Sequence, residues 1–397
     1  MKWLLLALCS MFFQQSFVTI GKVLPAIVAP AIFDDLLIDP SWLGVYVGII
    51  AMVALIVQAG CGSFIIKYGS LRISQISLLA TGIGLALAAP GFIALMILSA
   101  AAIGASASST PASSHLLGRY SPPQYTPLVF SIKQTAVPLG LLSAGLLGPL
   151  LTEVYDWRVA LLTVAGACVV FALILEVLRA KFDNDKDESK KIHLSDLRST
   201  VTLVLSKKSL RSLAFCCFAF VGLQTTFVAF FVIYLTEIGY SLIEAGAVFS
   251  VATAVAIPGR IFWGWLSSWL VQPRAMLGIL ALLMSVAVGL TSCFDTSWST
   301  GQVLVVAVLV SASVFSWHGV TLAEAARLAP SFMRGTVTGG VLSFGQFGGL
   351  ILPLFYSLIL SLTGSYQLGF LACSVPALIV GVVLLIDTQK GFWLKKN

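Results

Sequence analysis

The chain has 397 residues, of which 58% are hydrophobic and only 10% charged, with a formal net charge of +7. Soluble domains carry about 25% charged residues, so an ordinary water-soluble domain is excluded. A mean hydropathy of +1.01 points to a chain that lives in lipid.

The first element could pass for a signal peptide, since Met1-Lys2 precedes an apolar run. That run continues through Lys22 and Pro25 to about Ile32 with no convincing cleavage site, so it reads as the first span. Apolar runs long enough to cross a bilayer follow in order. We place them at 3–31, 42–65, 73–89, 92–117, 127–151 and 157–178, then at 211–236, 242–267, 274–294, 301–325, 335–361 and 366–388. Backbone groups in lipid must be satisfied within the segment, and none of the runs alternates with period two, so they are expected to be helices. Between the sixth and seventh runs lies the one long polar passage. From Arg179 to Arg211 it carries nine Lys/Arg and five Asp/Glu. The expected organisation is an all-α integral membrane protein: a six-helix bundle over 1–178, a connector over 179–210, and a second six-helix bundle with a short tail over 211–397.

Orientation follows from where the cations fall. With the N-terminus in the cytoplasm, twenty of the 23 Lys/Arg lie on the inner side, counting Arg260 about two turns from the inner end of its span, and the outer loops keep only Arg158. Those outer loops collect acids, among them Asp34, Asp35, Asp39, Glu153 and Asp156. Twelve spans bring the C-terminus back inside, and the expected location is a bacterial-type inner membrane. The basic charge is thus explained by topology, with no call for nucleic acid. Seven cysteines fall mostly within apolar runs and suggest neither a disulfide framework nor a zinc site.

Ionisable groups inside spans cost about 2.5–3.5 kcal/mol at the bilayer centre on insertion scales, so each is a candidate site residue. Lys22 lies in the outer part of the first span; the plain alternative is a lysine snorkelling to headgroups. Lys133 stands in the fifth span within Ser131-Ile-Lys133-Gln134-Thr135, a polar cluster better suited to lining a cavity than to facing lipid. Arg260 in the eighth span is either a structural donor to a carbonyl or a carboxylate-binding guanidinium. His318, beside Trp317 in the tenth span, is a packing residue or a proton carrier. Gln15, Gln224 and Gln346 are polar groups available to substrate or to interhelical hydrogen bonds. Glu324 and Arg327, one turn apart, read as a gating or structural pair. Lys22, Lys133 and Arg260 have no acid beside them deep in the spans. A cavity basic without acids favours an anion.

The two halves also share an order of features. Ser131-Ile-Lys133-Gln134 with Pro149 is matched by Ser343-Phe-Gly-Gln346 with Pro353, and Arg119 by Arg327. Internal repeats of this kind occur in secondary transporters. Together with Gly62-Ser-Phe-Ile-Ile-Lys67-Tyr-Gly69 and Arg72, Gly145, Gly148-Pro149, Asp156-Trp157-Arg158 and Gly259-Arg260-Ile-Phe-Trp-Gly264, the chain resembles the major facilitator superfamily across its whole length.

That resemblance implies two pseudo-symmetric bundles and transport by alternating access; no cofactor is expected, and with no Gly-rich phosphate loop and no zinc spacing in the sequence, no enzyme activity either. It also implies a gate at the loop between spans 2 and 3, where Lys67, Gly69 and Arg72 stand. The family usually has an Asp before the basic residue of that loop; here the position is Ile66, so closure is expected to rest on Lys67, Arg72 and the connector. Arg260 is similar to the eighth-span arginine of monocarboxylate transporters, which works with a first-span lysine. The expected activity is secondary active transport of a small organic anion, with a carboxylate foremost, by a monomer in the lipid bilayer. Protons are a candidate coupling ion, carried by His318 or by substrate and lysine protonation. The alternatives are efflux of a hydrophobic drug, using Phe227, Phe230, Phe231 and Trp263, and a non-transporting membrane sensor.

Overall fold

In the computed structural model, residues 2–122, 126–187, 189, 202, 204–328 and 334–389 are described, and they are all-α apart from turns. The middle of the expected connector, 190–201, and the tail beyond 389 lie outside the described residues. The first unit holds α1 (Lys2–Ile27), α2 (Ala29–Leu36), α3 (Trp42–Tyr68), α4 (Ser70–Ala88), α5 (Ile93–Ala105), α6 (Ser109–Tyr120), α7 (Thr126–Gln134), α8 (Ala136–Val154) and α9 (Trp157–Phe182). The second holds α10 (Lys208–Glu237), α11 (Leu242–Ala254), α12 (Ala256–Trp269), α13 (Pro273–Thr291), α14 (Thr300–Val314), α15 (His318–Leu328), α16 (Arg334–Thr363) and α17 (Tyr366–Gln389). The division falls between Leu194 and Ser195, except that Asp39–Gly48, including the first turns of α3, groups with the second unit.

Eleven segments among the described residues are long and apolar enough to cross a membrane, or twelve if α3, bent by 61° between Gln58 and Cys61, is one span. Large apolar side chains such as Leu173, Val177, Ile261 and Leu362 stand exposed, as they should where the solvent is lipid. Inside each unit, small residues let helices touch. A Cβ on Gly140 of α8 would lie 2.9 Å from the Ser16 carbonyl of α1.

The expected first span, 3–31, divides instead: α1 stops at Ile27 and α2 runs on to Leu36. Four other expected spans are also interrupted, the fourth at Ser106–Ser108, the fifth at Thr135, the eighth at Val255 and the tenth over 315–317. Proline accounts for three of them. Pro111, Pro138 and Pro258 lack an N–H and cannot donate to the carbonyls of Ala107, Gln134 and Ala254, four residues back, which is where each helix breaks. The tenth span has no proline near its break. There the freed carbonyls are satisfied from the eighth span: Trp263 Nε1 donates to Ala312 O at 2.7 Å and Arg260 Nε to Phe315 O at 2.9 Å.

Candidate functional site

In the first unit the polar group converges on Gln15. Its Oε1 accepts from Lys133 Nζ at 3.3 Å and from Thr110 Oγ1 at 3.0 Å. Lys133 is placed by the break after α7: Pro138 ends the helix at Gln134, and Thr135 turns its hydroxyl back to Ile132 O at 2.7 Å. The lysine is wholly buried. Among the described residues it has no carboxylate partner, and its hydrogen bond is to the Gln15 amide oxygen. Gln134 is half-buried beside it.

Lys22 differs. It is the one exposed residue between Gln14 and Phe33. Seven residues, or about two turns, separate it from Gln15, so the two share a face of α1.

The second unit gathers another group around the break in the tenth span. Arg260 is held by its bond to Phe315 O, and Gln224 of α10 accepts from Trp317 Nε1 at 3.2 Å. The His318 ring stacks on Trp317 with centroids 3.8 Å apart. Arg260, Trp317, His318 and Gln224 are therefore brought together. Gln346, half-buried on α16, is hydrogen-bonded to none of them. Farther along α15, Arg327 grips Glu324 with Nε and Nη2 at 2.7 and 2.8 Å. Glu324 is fully buried, so the pair stands closer to a structural clasp than a surface pair would.

At the loop end of the first unit, the missing loop acid is replaced from elsewhere. Asp183, just past α9, receives the Leu71 and Arg72 N–H groups at 2.7 and 2.9 Å, capping the N-terminus of α4. Burial pushes its carboxyl above the usual range, against the pull of those two amides. Gly69 has φ +97°, and a side chain there would run into Asp183. Asp185 binds Arg119 and, at 3.2 Å, His115. Burial raises its carboxyl, but Arg119 and His115 outweigh that and hold it below the ordinary value. Asp187 N–H adds a bond to Ile66 O at 2.9 Å. A cavity of about 500 Å³ here is lined by Lys67, Arg72, Arg179, Asp183 and Lys186, among others. The expected gate residues Lys67, Gly69 and Arg72 thus surround an aspartate that had not been singled out. Thr110, Ser316 and Thr321 also escaped notice, being single hydroxyls among many. Asp183 carried one visible signal, an acid directly after the cations Arg179 and Lys181.

The sequence model of the Major Facilitator Superfamily matches residues 4–353. No curated protein matches the chain. Solved structures do match in fold. A bacterial homolog of the human lysosomal transporter Spinster, inward-facing and unoccupied, superposes with a TM-score of 0.76 at 16% identity, covering 98% of this chain and 97% of that one. A peptide transporter POT in complex with sulfate gives 0.77 at 15% identity, with 97% and 94% covered. The nucleoside transporter NupG gives 0.74 at 13% identity, with 95% and 99% covered.

Proposed function

The chain belongs to the Major Facilitator Superfamily, a family of membrane transporters and not of enzymes, and from that premise we propose that it carries a small organic anion, a carboxylate foremost. The observation that carries this reading is Lys133: a buried ammonium inside a span, faced by Gln15 and by no acid among the described residues. A cation kept in that setting attracts an anion more strongly than it would in water. Lys22 and Arg260 add positive charge in the two units, and guanidinium suits bidentate carboxylate binding. Two similar folds give context, one solved with sulfate and one with 5-aminolevulinic acid. In the described conformation Lys133 is wholly buried, so an anion reaches it only after the helices around it rearrange.

We further assign the two units to the six-helix halves of an alternating-access carrier, with both termini on the cytoplasmic side of the cell membrane. Protons are the proposed coupling ion. The drug-efflux alternative is weakened by its own aromatics. Phe227, Phe230 and Phe231 are fully buried, and Phe230 stacks on Tyr356 at 3.9 Å between centroids. Trp263 is committed to Ala312 O. These rings are packing and do not form a wall for a drug.

The test is uptake of labelled carboxylates into proteoliposomes, with and without a pH gradient. Lys133→Ala should abolish the uptake that the unaltered protein shows while its abundance in the membrane is kept. Uptake unchanged in that variant removes Lys133 from the site.

A further inference from the structure

The break in the tenth span leaves a group of hydrogen-bond donors pointing at nothing. Phe315 through Trp317 are not helical, and α15 begins afresh at His318. The first backbone bond into the new helix is Thr321 N–H to Trp317 O at 3.1 Å. Ahead of it, the amides of His318, Gly319 and Val320 open the helix without a carbonyl to bind, and such a terminus carries partial positive charge.

Side chains repeat the pattern. Ser316 Oγ and Thr321 Oγ1 are buried atoms with no hydrogen-bond partner. Ser316 is 2% exposed and Thr321 0%. Orphaned buried hydroxyls are rare in folded proteins and ask for an occupant. Ser316 Oγ lies against Gly259, 2.9 Å from where a Cβ would stand, next to Arg260 in the chain.

The chemistry of the group selects the sign of that occupant. Broken helices also expose carbonyls, which bind cations. Here four of the carbonyls around the break are already taken, Ala312 O and Phe315 O by Trp263 and Arg260, and Ser313 O and Trp317 O by the Ser316 and Thr321 amides. Beside the guanidinium the break then offers three amides and two orphaned hydroxyls, against the carbonyls of Val314 and Ser316. A cation would meet Arg260 and find few lone pairs; an anion would find donors on several sides.

We propose that the interruption of the tenth span is a carboxylate subsite, in which Arg260 supplies the charge while Ser316, Thr321 and the amides that open α15 supply the hydrogen bonds. The proposal rests on the anion-carrier reading and goes further, placing the carboxylate-specifying contacts on residues that reasoning from charge had passed over. It also gives the proline-free break a reason: unwinding exposes amides that an intact helix would consume.

The experiment uses the full chain and two readouts. The first is uptake of labelled lactate, pyruvate, succinate and benzoate into proteoliposomes by the unaltered protein, Ser316→Ala and Thr321→Val. The second is protection of the same purified proteins from thermal unfolding by sodium formate, the smallest carboxylate, against sodium chloride at equal ionic strength. Loss of one hydrogen bond to a charged group corresponds to a rise of about tenfold in KM in each variant. Formate should raise the unfolding temperature of the unaltered protein and lose that effect in both variants. Thr321→Ser, which restores a hydroxyl, should recover most of the affinity. The subsite is overturned if KM stays within about twofold in both variants, or if formate protects all the proteins equally or none. If the unaltered protein takes up no carboxylate, the carrier reading fails on that arm, and formate protection judges the subsite separately. Should Thr321→Val not reach the membrane, Ser316→Ala decides alone, since it removes one oxygen and adds no volume.

Discussion

Lys133 sets stability and function against each other at a single side chain. Its ammonium is wholly buried and bonded to one amide oxygen, so the fold bears a desolvation cost that a neutral side chain would not. Lys133→Met keeps most of the volume and removes the charge. We expect it to raise the melting temperature, since the desolvation cost of the charge is removed, and to abolish carboxylate uptake. A thermal melt paired with the uptake assay checks both; a lower melting temperature would mean that the lysine is structural after all. Lys22 should behave differently. It is exposed on α1, so Lys22→Met should leave the melt within about 0.5 kcal/mol, whatever it does to transport.

At the scale of elements, the run of apolar segments was legible because a bilayer demands about 20 residues per helix. Three of the broken spans were legible too, in Pro111, Pro138 and Pro258, had each been paired with the carbonyl four residues back. The break at 315–317 was not. Its freed carbonyls are satisfied by a pair of donors, Arg260 and Trp263, about 50 residues away in sequence. The capping of α4 was hidden for the same reason, since Asp183 and Leu71 are 112 residues apart. Asp183→Ala should cost about 1–3 kcal/mol by leaving two amides of α4 unbonded, measurable as a lower unfolding temperature in detergent. Asp185 gives a pH prediction. Its carboxyl is held below its unfolded value by Arg119 and His115. The stability it adds is therefore present above about pH 4 and drains away as pH falls through the lower folded value. Asp183 runs the other way, because its carboxyl is raised: protonation eases its burial, so its term favours the fold at low pH and declines as pH rises past about 4. Comparing melts of the unaltered protein and Asp185→Asn from about pH 6 to pH 3 isolates the first term, and the gap between them should close as pH falls.

For the whole molecule, orientation is the property most open to a direct check. Cys293 is a free, exposed thiol in the turn after α13, on the side that the Lys/Arg distribution assigns to the exterior. A membrane-impermeant maleimide should label it in intact cells, whereas a cysteine placed at Ser206 should label only after permeabilisation. The reverse pattern would invert the topology and, with it, the direction assigned to every loop. The contact between Gly69 and Asp183 reaches beyond the present molecule, to its descent. A backbone at φ +97° pressed against a carboxylate leaves no room for either position to drift alone. Among close relatives the two should change as a couple: where a side chain has replaced the glycine, the aspartate should have shrunk or gone, and the acid should have returned to the loop at the place held here by Ile66.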